Sequence, residues 1–267
     1  MKQSTLIKNL LLLIGLISIN PMYANDREPV FVSGEKITYK LYYNWNFVWL
    51  SAGEVIFEVK DEGDLYHVEV TGRTYASYEW FYKVRDKYHS YIDKKTLLPK
   101  LYIRDIQQGN YIHYEKVEYD HVRKKMISYT GKTMKDAKPV EIPMQGECYD
   151  LVSTLYHLRN HHLGEFKKSK RIDFNLILDN RIYNLGIKLE KERSKFHIKE
   201  KGNFKVLECK GSVVEGQVFN ENTELKVYVG DDENKLPLMI ESPLSVGSVK
   251  AVLISEKNLK HPLFCKL

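Results

Sequence analysis

An all-β, mainly antiparallel fold is predicted by three observations. Apolar and polar residues alternate with period two along most of the chain. Turn-favouring residues recur about every 8–12 residues, the spacing of a meandering sandwich, barrel or rolled sheet. Nineteen tyrosines, ten phenylalanines and three tryptophans supply the aromatic bulk that a pleated, half-buried surface accommodates best.

The elements follow in order. Ile37, Tyr39, Leu41 and Tyr43 share one strand face, with Lys36, Thr38 and Lys40 opposite. Val55, Phe57 and Val59 alternate with Glu54 and Glu58, and after the turn at 61–64, Tyr66, Val68 and Val70 alternate with His67 and Glu69. One face of each strand is therefore buried and the other wet. The pattern returns over residues 100–107, 111–119, 125–130, 171–179, 181–190, 203–209, 224–230, 236–241 and 246–254. Breaks fall at Gly109-Asn110, Asp120-His121, Asp179-Asn180, Gly202-Asn203 and Asp231-Asp232, all residues that turns favour. Residues 132–146, with Pro139 and Pro143, read as a long connection, and 25–267 as one β-rich domain.

One segment departs from this period. Over residues 148–162, Leu151, Leu155, Leu158 and His162 fall on one helical face. Asp150 or Glu147 can cap its start, and Gly164 stands just past its end. A second short helical turn is expected at 78–82.

The first residues carry a targeting signal. Lys2 and Lys8 precede a short apolar run from Leu10 to Ile19, and Ala24 closes the segment. This is the layout of a secretory signal peptide over 1–24. The run is too short for a spanning helix, which needs about 20 residues. The protein is thus expected to be exported, to the periplasm or outer envelope of a Gram-negative bacterium, with no transmembrane span after cleavage. Forty-one basic and 35 acidic residues are interspersed, and a mean hydropathy of -0.42 excludes a membrane bundle. Runs such as 123–125 and 167–171 read as solvated loops. No nucleic-acid reader motif is present, so nucleic acid is not an expected partner.

Three constellations are candidates for chemistry. Tyr43, Trp45, Phe47 and Trp49 would project from one strand face, lining a pocket for an acyl chain or stacking against a sugar, or else filling the core. His157 and His161 are a helical turn apart, so both rings could meet one metal ion, with Asp150, seven residues before His157, as a carboxylate and a strand-borne ligand still needed. The glutamate of an HExxH motif is absent, because Leu158 occupies its place. Cys148, near the helix start, sketches a nucleophile whose base must come from another strand, such as His89 or His197. No G-x-S-x-G elbow exists, and Asp231-Asp-Glu-Asn234 reads as a turn rather than a calcium loop. No cofactor is indicated. In an oxidising compartment Cys148, Cys209 and Cys265 predict one disulfide and one free thiol, with all three pairings open.

Several segments taken together carry a resemblance. These are Gly34-Glu35 with Ile37 and Tyr39; Ser51-Ala52-Gly53; Phe81 to Asp86 with Ser90, Asp93 and Pro99; Tyr149 to Ser153 with Tyr156 and Arg159; Val227 to Pro237; and Val246 to Ala251. In order and spacing the chain resembles domain-of-unknown-function family 3108, exported bacterial proteins, over residues 31–254. The resemblance implies a strongly curved or rolled, open-barrel-like sheet with the helix against it, and implies no catalytic residues. At the recurring positions, Gly53 and Gly247 suit bulges or close approaches, and Pro99 and Pro237 suit strand starts. Asp86 and Asp150 suit backbone capping or pairing with Arg85, Arg104 or Arg159.

With an aromatic row and no complete catalytic set, the expected function is non-enzymatic binding of an apolar small molecule or lipid by the curved sheet. The alternatives are an envelope scaffold that docks partner proteins and, third, a hydrolase or metal site on the 148–162 helix.

Overall fold

The computed structural model describes residues 28–45, 48–80, 82–212, 224–243 and 247–267. The expected signal peptide and Phe47 lie outside these residues, as does the Trp45 side chain. The first half of the chain forms β1 (Lys36–Trp45), β2 (Val48–Glu62), β3 (Leu65–Thr74), β4 (Val84–Asp93), β5 (Pro99–Gln108), β6 (Tyr111–Asp120), β7 (Lys125–Gly131) and β8 (Lys138–Pro143). Two helices follow, α1 (Leu151–Asn160) and α2 (Leu163–Ser169). The second half forms β9 (Arg171–Leu178), β10 (Arg181–Ile198), β11 (Gly202–Ser212), β12 (Glu224–Gly230), β13 (Pro237–Pro243) and β14 (Ser248–Lys257). Among the described residues no helix is long and apolar enough to cross a membrane.

These 14 strands make one antiparallel sheet in the order β8-β7-β6-β5-β4-β3-β2-β1-β14-β13-β12-β11-β10-β9. The first and last strands pair at its centre, and the edges, β8 and β9, are consecutive strands of the chain. The sheet is rolled and open, as expected, and the helical segment lies at its seam. Tyr149 pairs with β9 there, its N–H donating to the Asn175 carbonyl at 2.9 Å and its carbonyl accepting from Ile177 at 2.9 Å. The β9–β10 turn latches onto the far wall. The Asp179 N–H donates to Glu115 at 2.8 Å, Asn180 donates to the Thr130 hydroxyl at 2.8 Å, and Arg104 pairs with Asp179.

Among the described residues the core gathers in three clusters. The largest, with Phe31, Val68, Ile92, Tyr102, Val117 and Tyr156, fills the space between β2–β7 and α1. A second holds Ile37, Tyr39, Phe204, Leu236 and Leu253. The third, with Phe166, Ile172, Leu207 and Val227, lies under α2.

One strand was not foreseen, and two expectations are corrected. β4 was hidden because its inward row, Asp86, Tyr88 and Ser90, is polar and erases the alternation. β8 runs through the expected connection as a sheet edge, where its two prolines do least harm. Gly164 does not end the helical segment: His162 caps a second helix there, its ring nitrogen accepting from the Glu165 N–H at 3.4 Å. At the expected turn over 78–82 the Tyr82 N–H donates to the Tyr78 carbonyl at 3.1 Å, and a 3-10 turn precedes it at Ala76–Tyr78. Gly53 and Gly247 behave as expected. A Cβ on Gly53 would collide with the Arg73 carbonyl beside the β2 bulge, and Gly247 has φ +75°. Pro99 and Pro237 open β5 and β13.

Candidate functional site

Helix α1 is fixed at both ends, and this fixes the interior. At its start the buried Asp150 side chain accepts from the N–H groups of Val152 and Ser153, both at 2.8 Å. It also accepts from the hydroxyls of Ser90 and Ser153 at 2.9 and 2.7 Å, and the Ser153 hydroxyl closes a capping box. Burial raises the carboxyl's pKa against these four donors, which lower it. At the other end Arg159 grips Glu35 and the Asn234 carbonyl. Asp150 therefore caps the backbone, and the other arginines pair elsewhere: Arg104 with Glu115 and Asp179, Arg85 with Glu79. Asp86 accepts from Gln108 at 2.7 Å, and burial raises its pKa.

The helix divides the inside of the rolled sheet into two apolar chambers. One, of about 260 Å³, lies between β1–β4 and the first turn of α1 and is lined by Leu41, Val55, Phe57, Val70, Gly72 and Val152 among others. The other, of about 240 Å³, lies between both helices and β9–β13, against Leu155, Leu158, Phe166, Leu207, Val227 and Ile240. Leu151 borders both and is 39% exposed, so the first turn of α1 is the partition. Together the chambers reach the size of small-molecule pockets, roughly 300–1,000 Å³. Lys235 reaches the wall of the second chamber. Burial there pushes its ammonium pKa down to about 8, and the neighbouring Arg159 adds to the effect.

The expected aromatic row is broken. β1 ends at Trp45 and β2 begins at Val48, so the segment spans two strands. Tyr43 pairs with Leu50 and Asn44 with Trp49, which sends Tyr43 and Trp49 to opposite faces of the sheet. Trp49 lies under the Lys250 ammonium, 3.9 Å from its ring centroid, and lines neither chamber. Apolar lining instead comes from runs of successive strands, β1–β4 in the first chamber and β9–β13 in the second. The one local signal was the leucine stripe Leu151, Leu155 and Leu158, of which all three members face the second chamber.

The helix histidines do not meet Asp150. Its carboxylate is occupied by the cap, while His157 stacks on the Tyr149 ring at 4.1 Å and shares an open cleft with His161 and Glu147. Among the described residues, neither grouping of potential metal ligands includes them: these are His67, Glu69 and His89, and His113, Glu115 and Asp179. Nor is Cys148 an activated thiol, since burial pushes its pKa up to about 12. The expected disulfide is absent too. Cys148, Cys265 and Cys209 are free and belong to the three separate core clusters.

The fold and its hollow interior define a β-barrel-like protein whose rolled sheet stays open. Residues 38–254 match the family described as a protein of unknown function, DUF3108, and the chain belongs to that family. Among solved structures it is similar to a beta-barrel-like protein of domain of unknown function DUF1849 from Brucella abortus. The TM-score is 0.57 at 9% identity, covering 86% of this chain and 100% of that one. At that identity the likeness concerns the fold alone. No curated protein matches the chain.

Proposed function

We propose that this is an exported envelope protein that binds an apolar chain, such as a lipid acyl group, in the chambers flanking α1. The carrying observation is the second chamber, whose wall is almost wholly aliphatic and aromatic, with Leu158, Leu163, Ile187, Leu225 and Val229 only partly buried by protein. Apolar surface left uncovered inside a fold costs about 25 cal/mol per Å², which a ligand chain recovers. Lys235 at the wall suits a chain with an acidic end.

Docking of partner proteins through sheet edges has less support. β8 carries Pro139 and Pro143, which blunt pairing, and Tyr149 and the helices lie along β9. The basic runs are also engaged: Lys167 with Asp231, Lys170 with Glu192, Arg123 with Asp120 and Lys125 with Glu141.

Native mass spectrometry of protein purified from a bacterial periplasm, with organic extraction, tests the reading. A discrete extractable apolar mass is expected. Gly211→Leu, which fills the second chamber beside Leu225, should abolish that mass while leaving the melting temperature unchanged or higher. A bare wild-type protein that also fails to take up fatty acids in vitro would remove the proposal. Lys235→Met should weaken a carboxylate-ended chain more than a neutral one.

A further inference from the structure

We infer that His67, Glu69 and His89 form a binding site for a borderline transition-metal dication of the zinc class, on the sheet face opposite the apolar chambers. β3 and β4 build it. Glu69 lies directly across from His89, and His67 stands two residues before Glu69, so all three leave the same face. Val68 and Val70, between and beyond them, point the other way into the core.

The geometry is that of a nearly closed ligand set. His67 Nε2 and His89 Nδ1 face each other at 2.9 Å, and one ligand atom from each of the three residues lies within 4.8 Å of the others. Zinc–imidazole bonds of about 2.0–2.1 Å in a tetrahedron need the two nitrogens about 3.3 Å apart, a few tenths of an ångström more. Two imidazoles and a carboxylate leave a fourth position for water.

The surroundings hold the ligands as metal sites do. Glu62 accepts from His67 Nδ1 at 2.7 Å, which leaves the Nε2 lone pair free to ligate. The Tyr91 ring stacks on the His67 imidazole at 4.3 Å and 8°, fixing its plane. Without metal, His67 Nε2 accepts a hydrogen bond from His89 Nδ1–H; metal binding moves that proton to the far nitrogen of His89. Lys60 donates to one oxygen of Glu69 at 2.7 Å and leaves the other for the ion.

The second cluster, His113, Glu115 and Asp179, fails the same comparison. Arg104 already stands among them, 3.2 Å from Glu115, 2.9 Å from His113 Nε2 and hydrogen-bonded to Asp179. A guanidinium fills the cation's place there.

The test is titration of the chelator-stripped, tag-free full chain with zinc chloride against a chromophoric chelator. One equivalent should bind, and zinc should raise the melting temperature. His89→Gln and Glu69→Gln should each weaken binding at least 10-fold with an unchanged circular dichroism spectrum, and Glu62→Gln should weaken it about 10–100-fold. His113→Gln should bind as wild type. X-ray absorption at the zinc edge, which needs no variant, should count two imidazoles and no sulfur. Absence of saturable binding, zinc–sulfur bonds, or wild-type affinity in both His89→Gln and Glu69→Gln would overturn the site.

Discussion

Arg159 and Glu35, 124 residues apart, form a two-pronged ion pair inside the protein. Nη1 donates to one carboxylate oxygen at 2.6 Å and Nη2 to the other at 2.9 Å, with both side chains almost wholly buried. A third donor, Nε, reaches the Asn234 carbonyl at 3.1 Å. The end of α1 is thereby fastened to the residue before β1 and to the β12–β13 turn. Removing one partner of such a pair strands a buried charge and costs about 3–5 kcal/mol, whereas an apolar replacement of both is often neutral. Glu35→Gln should therefore lower stability to urea by about 3 kcal/mol, and the Glu35→Leu/Arg159→Met double variant should recover most of it.

Asp150→Ala should cost about 3 kcal/mol. The substitution loses a helix cap worth ~1–2 kcal/mol and strands the buried Ser90 hydroxyl. Asp150→Asn keeps an acceptor and should cost less. Burial places the folded carboxyl's pKa above its unfolded value, so ionisation works against the fold. Stability contributed by the protonated group is full below about pH 4 and declines as pH rises through the folded pKa. Urea midpoints across pH should show this downward component in wild type and its absence in Asp150→Asn.

His157 titrates with the opposite slope. Burial pushes its pKa from 6.5 down to about 4, so the folded protein holds it neutral. Its contribution is complete above pH 6.5 and is lost as pH falls from there toward 4. With allowance for the partly solvated ring, the loss is on the order of 2 kcal/mol. His157→Phe, which keeps the stack on Tyr149, should flatten the melting-temperature profile in that window relative to wild type.

Thiol titration of the unreduced, denatured protein should find three free cysteines. In the native protein the reaction should be slow, because burial raises the pKa values of Cys148 and Cys209 to about 12 and that of Cys265 further still. A single reactive thiol after denaturation would show that a disulfide forms.

Most strands were legible because one face packs and the other is wet, an alternation that survives in sequence as in Val55, Phe57 and Val59. It failed where packing and polarity part company. β4 turns Asp86 and Ser90 inward toward Gln108 and the cap at Asp150, so its pattern looks like a loop. The aromatic row around Trp49 was visible, but the β1–β2 pairing and a bulge at Leu41/Tyr42 decide which faces Tyr43 and Trp49 take, and period two cannot show either. The chambers were illegible for a different reason. Each wall is spread over several successive strands, β1–β4 at one place and β9–β13 at another, and is closed by a helix whose docking no strand period can show. His67 and Glu69 carry the i, i+2 spacing of one strand face, but His89 joins them only through the β3–β4 register.

The pairing of β1 with β14 has a kinetic consequence. Lys36 aligns with Lys257, so nearly the whole chain must be gathered before this central ladder can close. The neighbours β2–β8 and β9–β13 are successive hairpins whose contacts are local and fast to make. Two half-sheets are then expected to assemble independently, with the middle of the sheet zipping last and limiting the folding rate. A circular permutant opened between β8 and β9, with residues 28 and 267 linked, turns that slowest ladder into one more hairpin and should fold faster to the same rolled sheet.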